Sequence, residues 1–576
     1  VEALFMAGLG GVPILILREG TRRERGREAI ENNIMAARAV ANAVRTTLGP
    51  RGMDKLMVDS LGDITITNDG VTILKEMDVQ HPAAKMVVEA AKTQDDEVGD
   101  GTTTAAVLTG ELLKKAEDLM SRGVHQTVIA AGYSEAADRA VKILEDMAQE
   151  VTENDRDLLE KVAVTAMTGK LAEAPGSKIP AYTVDLILSC LERQNGKVTV
   201  DLDKAVVEKR VGESTDESEL IKGVIIDKDR VHQNMPTRIE KAKIALLGVA
   251  IERKDPENKA EISITSGDQF RLFMEHEKKE IAEVVDKVVR SGANVVFSQK
   301  GIDDLAQHLL AKAGIMAFRR IRKSDLEKLA SATGGNVVTS LDVLTPEDLG
   351  SADLVEEKEV GSGKLTFVTG CKNPGFVSLL LRGGTQQVVD GLERALDDAM
   401  HAVATAVESQ KLVAGGGAPE TELFLRLKAF AASLKGREQL AVEKFAEAME
   451  IIPKTLAENS GLSPIDMMAA LKSSHENQGK TFGLDVNAGK VVDMWEMGVL
   501  EPLRVKTQAI RCATDAATLI LRIDDVVSAK KKEGQEGGMP PGMGGMPGMG
   551  GMPGMGGMPG MGGMPGMMGG MPPGMM

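Results

Sequence analysis

The run Gly99-Asp100-Gly101-Thr102-Thr103-Thr104 constrains this chain more than any other stretch, because it sets one carboxylate and a file of hydroxyls where a helix has to begin. Leu108, Leu112 and Leu119 follow near helical spacing, so the glycine-flanked Asp100 precedes the positive end of a helix dipole. Backbone N–H groups at such an end lack helical partners and favour anions. A phosphate there would repel Asp100, yet Asp100 is suited to hold a Mg²⁺ that bridges to phosphate oxygens. The run by itself fits a threonine-capped helix after a tight turn equally well, so the neighbouring sequence has to decide.

Residues 30–48 place Ile30, Ile34, Ala37, Ala41, Val44 and Leu48 at intervals of three and four, the buried stripe of an amphipathic helix. Gly49-Pro50 stops that helix. Residues 55–58 and the alternating Ile64-Thr65-Ile66-Thr67 predict two short strands joined by a turn at 60–63, and Asn68-Asp69-Gly70 predicts a further tight turn. That turn presents a second isolated carboxylate, Asp69, for which ordinary turn chemistry is the plainer reading.

Between about residues 224 and 378 the pattern changes to α/β, with apolar strands at 243–251 and 294–297 and a helix at 302–313. The connection 252–289 is far longer than a compact unit needs. It carries Phe270, Phe273, Ile281 and Val284 on a segment that also holds Glu275-His276-Glu277-Lys278-Lys279-Glu280, so an amphipathic crossover helix and an inserted functional element both fit. From Gly537, after Lys530-Lys531-Lys532, repeats of Gly-Gly-Met-Pro-Gly-Met forbid a regular helix or strand. A disordered tail over 537–576 follows, serving as an inert tether or a mobile, weakly apolar brush.

A length of 576 residues with 43% hydrophobic content is enough for several domains, each with its own core. The formal charge of −16 and an aromatic content of 2% argue against nucleic acid as a partner. Cys190, Cys371 and Cys512 are far apart and show no metal-ligand pattern, so a reducing, cytoplasmic setting without disulfides is expected. No membrane partner is expected either: no segment has the apolar length of a span, and the run 12–17 lacks the basic region and cleavage site of a leader.

Several blocks, in order, resemble the chaperonin signature: Thr46-Thr47-Leu48-Gly49-Pro50-Arg51-Gly52-Met53-Asp54-Lys55, Asn68-Asp69-Gly70, and the run at 99–104. The likeness continues through residues 291–311, Leu396-Asp397-Asp398-Ala399, Val413-Ala414-Gly415-Gly416-Gly417, 437–462 and 498–510. It covers about residues 6–532 and is greatest to the group II chaperonins, within them to archaeal thermosome subunits. On this resemblance Met6 is a plausible start and residues 1–5 an atypical prefix.

The resemblance implies a multidomain α+β fold. A mostly helical equatorial domain would be built from residues 1–155 and 412–536, a small α/β intermediate domain from 156–223 and 379–411, and an α/β apical domain from 224–378. A helical protrusion at about 252–289 would serve as a built-in lid, so no separate lid co-chaperonin is expected. The implied activity is ATP hydrolysis with Mg²⁺, in a double ring of such subunits that encloses non-native proteins and assists their folding. Asp69 and Asp398 would activate water, Asp100 would hold the metal, and Gly101, Thr102, Thr103 and Thr104 would contact phosphate. Leu48, Gly49, Pro50 and Gly416 would let the backbone approach the nucleotide, Glu501 would contact the ribose, and Lys170 would sense the γ-phosphate. Asp397 is the neighbouring rival to Asp398, which is preferred because the family's acid directly precedes the dipeptide matching Ala399-Met400.

Overall fold

In the computed structural model, which describes residues 21–529 apart from 59–61, 63, 171–176, 195, 254–265, 362 and 374, the stripe predicted at 30–48 forms the helix Gly26–Arg45. Ile30, Ile34, Ala37, Ala41 and Val44 are buried along it. The helix ends before Leu48 because Thr46 caps it and the Thr47 hydroxyl donates back to the Val44 carbonyl at 2.8 Å. The tail at 537–576, residues 1–5, Met6, the run 12–17 and most of the turn at 60–63 lie outside the described residues. The site and the cores described below belong to one unit, Arg23–Val526.

Strands Lys55–Val58 and Ile64–Thr67 pair antiparallel, as their alternation predicts, with Leu56 opposite Ile66. The tight turn expected at Asn68-Asp69-Gly70 is instead the start of the helix Gly70–Glu76. Asp69 caps it: the carboxylate accepts from the Thr72 N–H at 2.8 Å and from the Thr72 hydroxyl at 2.7 Å. Val71, Ile73 and Leu74 are then buried, which a turn would not achieve.

Helices Pro82–Val98, Thr102–Ser121 and Gln126–Met147 share one core with Gly26–Arg45. That core also takes Leu423, Phe424 and Phe445 from helices Ala418–Ser433 and Arg437–Met449, and Ile510 and Ala517 from Leu503–Leu521. Early and late parts of the sequence therefore fold together. Tyr133 meets Phe445 edge-on with ring centroids 5.6 Å apart, and its hydroxyl donates to the Leu112 carbonyl at 2.9 Å. Truncating a buried ring such as Phe445 to alanine costs about 3–5 kcal/mol.

A second core joins helices Arg156–Met167 and Ile179–Ser189 to Gln386–Ser409, again across a long sequence gap. The residues between them build the largest sheet among the described residues, which has nine strands. Within it Arg238–Leu247 runs parallel to Val295–Ser298 and antiparallel to Gly350–Val360. That strand starts and stops earlier than the 243–251 pattern suggested: its ladder to the strand Gly350–Val360 begins at Arg238, and beyond Leu247 the last backbone bond to a neighbouring strand runs from the Gly248 N–H to the Val338 carbonyl, 2.9 Å away. Helix Asp304–Lys312 occupies most of 302–313.

Helix Gly267–Arg290 starts at Ser266, whose hydroxyl accepts from the Gln269 N–H at 3.2 Å. Its two halves differ. Ile281, Val285 and Val288 are buried in the core on one side of the nine-stranded sheet, and Val284 packs partly buried beside them. Leu272 is 65% exposed and Met274 is also exposed. Phe273 is half-buried under the Arg253 guanidinium, 5.8 Å from the ring centroid, whereas the Phe270 side chain is outside the described residues. The last turns of the 252–289 connection thus send Ile281, Val285 and Val288 into the α/β core, while Leu272, Met274 and the terminal Val289 stay exposed.

Candidate functional site

A cavity of about 410 Å³ opens where the first and second cores meet. Leu48, Gly49, Pro50, Asp69, Asp100, Gly101, Thr102, Thr103, Thr104, Lys170, Asp398, Gly416 and Glu501 all line it, so the structure brings the whole set of sequence-predicted site residues to one place.

The 99–104 run does begin a helix. Gly101 caps Thr102–Ser121 with φ +78°, a left-handed conformation that glycine adopts without strain, and Gly99 has φ +64°. The Asp100 carboxylate accepts from the Gly101 N–H at 2.7 Å, while Gln94 donates to the Asp100 carbonyl at 2.7 Å and to the Val505 carbonyl at 3.2 Å. This ties the run to the 503–521 helix. The N–H groups of Thr102, Thr103 and Thr104 precede the first helical repeat, which closes from Ala105 N–H to the Gly101 carbonyl at 3.0 Å. All three residues line the cavity, and the first N–H groups of a helix have no partner within it.

Gly70 allows the two acidic segments to approach each other. A Cβ at this position would lie 2.4 Å from the Thr103 hydroxyl oxygen and 3.0 Å from the Thr103 nitrogen. Asp69 is thereby held beside the helix start, with its second carboxylate oxygen 3.5 Å from the Thr102 hydroxyl. Next to it, Asn68 donates to the Gly169 carbonyl at 2.7 Å, which fixes the turn carrying Lys170.

Asp398 projects from the middle of Gln386–Ser409 because Ala395, Ala399 and Ala402 bury the adjoining positions of that helix. Asp397 is exposed and does not line the cavity. Lys170 forms a salt bridge with Asp398, both side chains mostly buried. Burial raises the Asp398 carboxyl well above the usual carboxylate range, and the charges of Asp69 and Asp100 add to this, while Lys170 opposes them. Burial works against the Lys170 charge, but Asp398, Asp100 and Asp69 outweigh it and hold the ammonium protonated.

Three carboxylates and one ammonium leave this end of the cavity short of positive charge, which suits a divalent cation. Among the described residues no group of three or more His, Cys, Asp or Glu side chains forms a metal cage. Mg²⁺ needs none: it keeps waters and commonly binds through one or two carboxylates plus phosphate oxygens. Asp100, beside unpaired N–H donors, fits that role.

The opposite wall contains residues that sequence reasoning missed. Gly417, Leu484, Asp485, Val486 and Asn487 line it, the last four on or beside the hairpin strand Phe482–Asp485. So does Lys506, whose ammonium lies 2.8 Å from Glu501 and 3.0 Å from Glu420. The available signal was a lysine within the apolar stretch Leu503, Val505, Ala509 and Ile510 of a buried helix. A lysine so placed needs buried carboxylates nearby.

The description "TCP-1/cpn60 chaperonin family" matches residues 40–531. Thermosome subunit beta of Archaeoglobus fulgidus is 57% identical over 540 residues, covering 93% of this chain and 99% of that protein. The thermosome subunit of Methanopyrus kandleri is 56% identical over 521 residues, covering 90% and 96%. A solved structure, the open-state monomer of a group II chaperonin from Methanococcoides burtonii, is similar with a TM-score of 0.57 at 51% identity, covering 74% of this chain and all of that one. With its multidomain helix-and-sheet architecture and these relatives, the chain belongs to the TCP-1/cpn60 chaperonin family, as a group II chaperonin of the thermosome kind.

Proposed function

We propose that this chain hydrolyses ATP in a double ring of chaperonin subunits and that hydrolysis drives closure of a built-in lid over non-native protein. The observation that carries the reading is the convergence of Asp69, Asp100 and Asp398 on one cavity from separate segments of the chain. Asp69 and Asp100 sit on the first core, whereas Asp398 sits on a helix of the second. In this reading residues 1–155 and 412–536 are the equatorial domain, 156–223 and 379–411 the intermediate domain, and 224–378 the apical domain.

The N–H groups and hydroxyls of Thr102, Thr103 and Thr104 hold phosphate oxygens, and Gly101 lets the backbone come close. Leu48, Gly49, Pro50 and Gly416 shape the wall against the nucleotide, and Glu501 accepts from the ribose. Mg²⁺, held by Asp100, supplies charge neutralisation on the phosphates. Asp69 and Asp398 orient a water molecule for in-line attack, and Asp398 accepts its proton. Lys170 pairs with Asp398 until a γ-phosphate competes for its charge. Because Asp398 arrives on its own helix, completing the site and closing the hinge are one movement.

The strand pair 55–58 and 64–67 leaves Leu56, Val58 and Ile64 exposed at 57–63%, an apolar surface fit for a neighbouring subunit. The connection at about 252–289, whose helix Gly267–Arg290 exposes Leu272 and Met274, is the proposed lid, which makes a separate lid protein unnecessary, and the proposed setting is the cytoplasm. Light scattering on the purified full chain, with phosphate release measured in the same fractions, tests the reading. A native mass many times 61.2 kDa coincident with ATPase activity is expected. A 61.2 kDa monomer, or a large assembly inert toward ATP, would overturn it.

A further inference from the structure

Lys506 is 7% exposed and lies between two carboxylates from different elements. Glu420 belongs to the first turn of Ala418–Ser433, directly after the glycine loop, and Glu501 belongs to the strand Leu500–Pro502. The strand is itself fixed: Glu501 pairs with Val413 across an antiparallel ladder, and the Leu500 N–H donates to the Thr165 hydroxyl at 3.1 Å. Glu420 is 3% exposed, and its second carboxylate oxygen has no hydrogen-bond partner among the described residues. Gly415 leaves just enough room, since a Cβ there would stand 2.8 Å from a Glu501 carboxylate oxygen.

Two buried carboxylates cannot both stay ionised at close range without a cation between them. Burial, then Glu420 and Asp100, push the Glu501 carboxyl above its ordinary range, and Lys506 acts against that push. An ionised, oriented carboxylate offers both oxygens as acceptors to vicinal hydroxyls, whereas a protonated one turns one oxygen into a donor.

We propose that Lys506 is the positioning residue for sugar recognition in the nucleotide cavity: it holds Glu501 as an oriented acceptor for the ribose hydroxyls, and Glu420 anchors Lys506 from behind. The proposal rests on reading Glu501 as the ribose-contacting acid. Lys506 does not touch the phosphates or the attacking water in this scheme, so its loss weakens sugar recognition more than turnover.

The test is equilibrium binding of ATP and of 2′,3′-dideoxy-ATP to the assembled full-length protein, with KM and kcat measured alongside. In Lys506→Met the ATP affinity should fall about tenfold while dideoxy-ATP affinity changes little, so the preference between them collapses. The loss should appear in KM more than in kcat. Removing the second acid as well, in Lys506→Met with Glu420→Gln, should restore most of the preference, because the larger of the two like charges acting on Glu501 is then gone. The ratio of the two affinities does not depend on the folded fraction, so partial misfolding leaves the comparison valid. Equal weakening of both nucleotides in Lys506→Met, while Glu501→Gln abolishes the preference, would overturn the role of Lys506 alone. An unchanged preference in Glu501→Gln would overturn the ribose reading and this proposal with it.

Discussion

Lys170 and Asp398 are salt-bridged across 228 positions of sequence, the lysine on the turn after Arg156–Met167 and the aspartate in the middle of Gln386–Ser409. In the proposed mechanism this pairing occupies the water-activating carboxylate before nucleotide arrives. Both groups belong to the second core, and their bridge faces Asp69 and Asp100 of the first across the cavity.

Hydrolysis should therefore have an acid limb set by Asp398. The group must be ionised to accept a proton, and its carboxyl is held high, first by burial and then by Asp69 and Asp100, so kcat/KM falls as the pH is lowered through the raised value. Lys170 pulls it down, by its charge and by its hydrogen bond. Lys170→Met should shift the limb to higher pH. A pH profile of kcat/KM for both proteins checks this, and an unmoved or downward-shifted limb contradicts it.

A second pH effect concerns stability. Glu450 accepts from Lys454 at 2.6 Å and pairs with Lys472 at 2.5 Å, and Glu447 accepts from Lys444 at 2.6 Å and Lys115 at 3.2 Å. Burial raises both carboxyls, but the lysines outweigh it and leave them below the ordinary range. Their contribution is present above the unfolded carboxylate value of about 4.3 and is lost as the pH falls through the lower folded values. Glu450→Gln should lower stability near neutrality by about 1 kcal/mol, the lysines being partly solvated. The deficit should vanish on acidification. Thermal melting across the acid range would detect it.

The lid assignment predicts a separable defect. Deleting residues 254–276 removes the exposed Leu272 and Met274 with the preceding part of the connection but leaves Ile281, Val285 and Val288 for their core. Ring assembly and ATP hydrolysis should persist, and retention of captured non-native protein in the presence of ATP should fail. Retention equal to the parent would remove the lid from the account.

Much of the site was legible because its signals are local. The 99–104 run states its own helix start, and the alternation at 64–67 states its strand. Asp69 was harder: Asp before Gly signals both a turn and a helix cap, and the cap wins here through the burial of Val71, Ile73 and Leu74, a tertiary effect. Choosing Asp398 over Asp397 depends on which face of one helix is buried, which the quoted block does not state without its packing partner. Lys506 was missed because its meaning lies in Glu420, on a different helix.

The central claim is that Asp398, brought from the second core, completes a nucleotide site whose cradle lies elsewhere. ATP binding and phosphate release by Asp398→Ala, measured on the same preparation, test it most directly. The account predicts affinity within about threefold of the parent and turnover reduced about a hundredfold or more. Undiminished hydrolysis in that variant would contradict it.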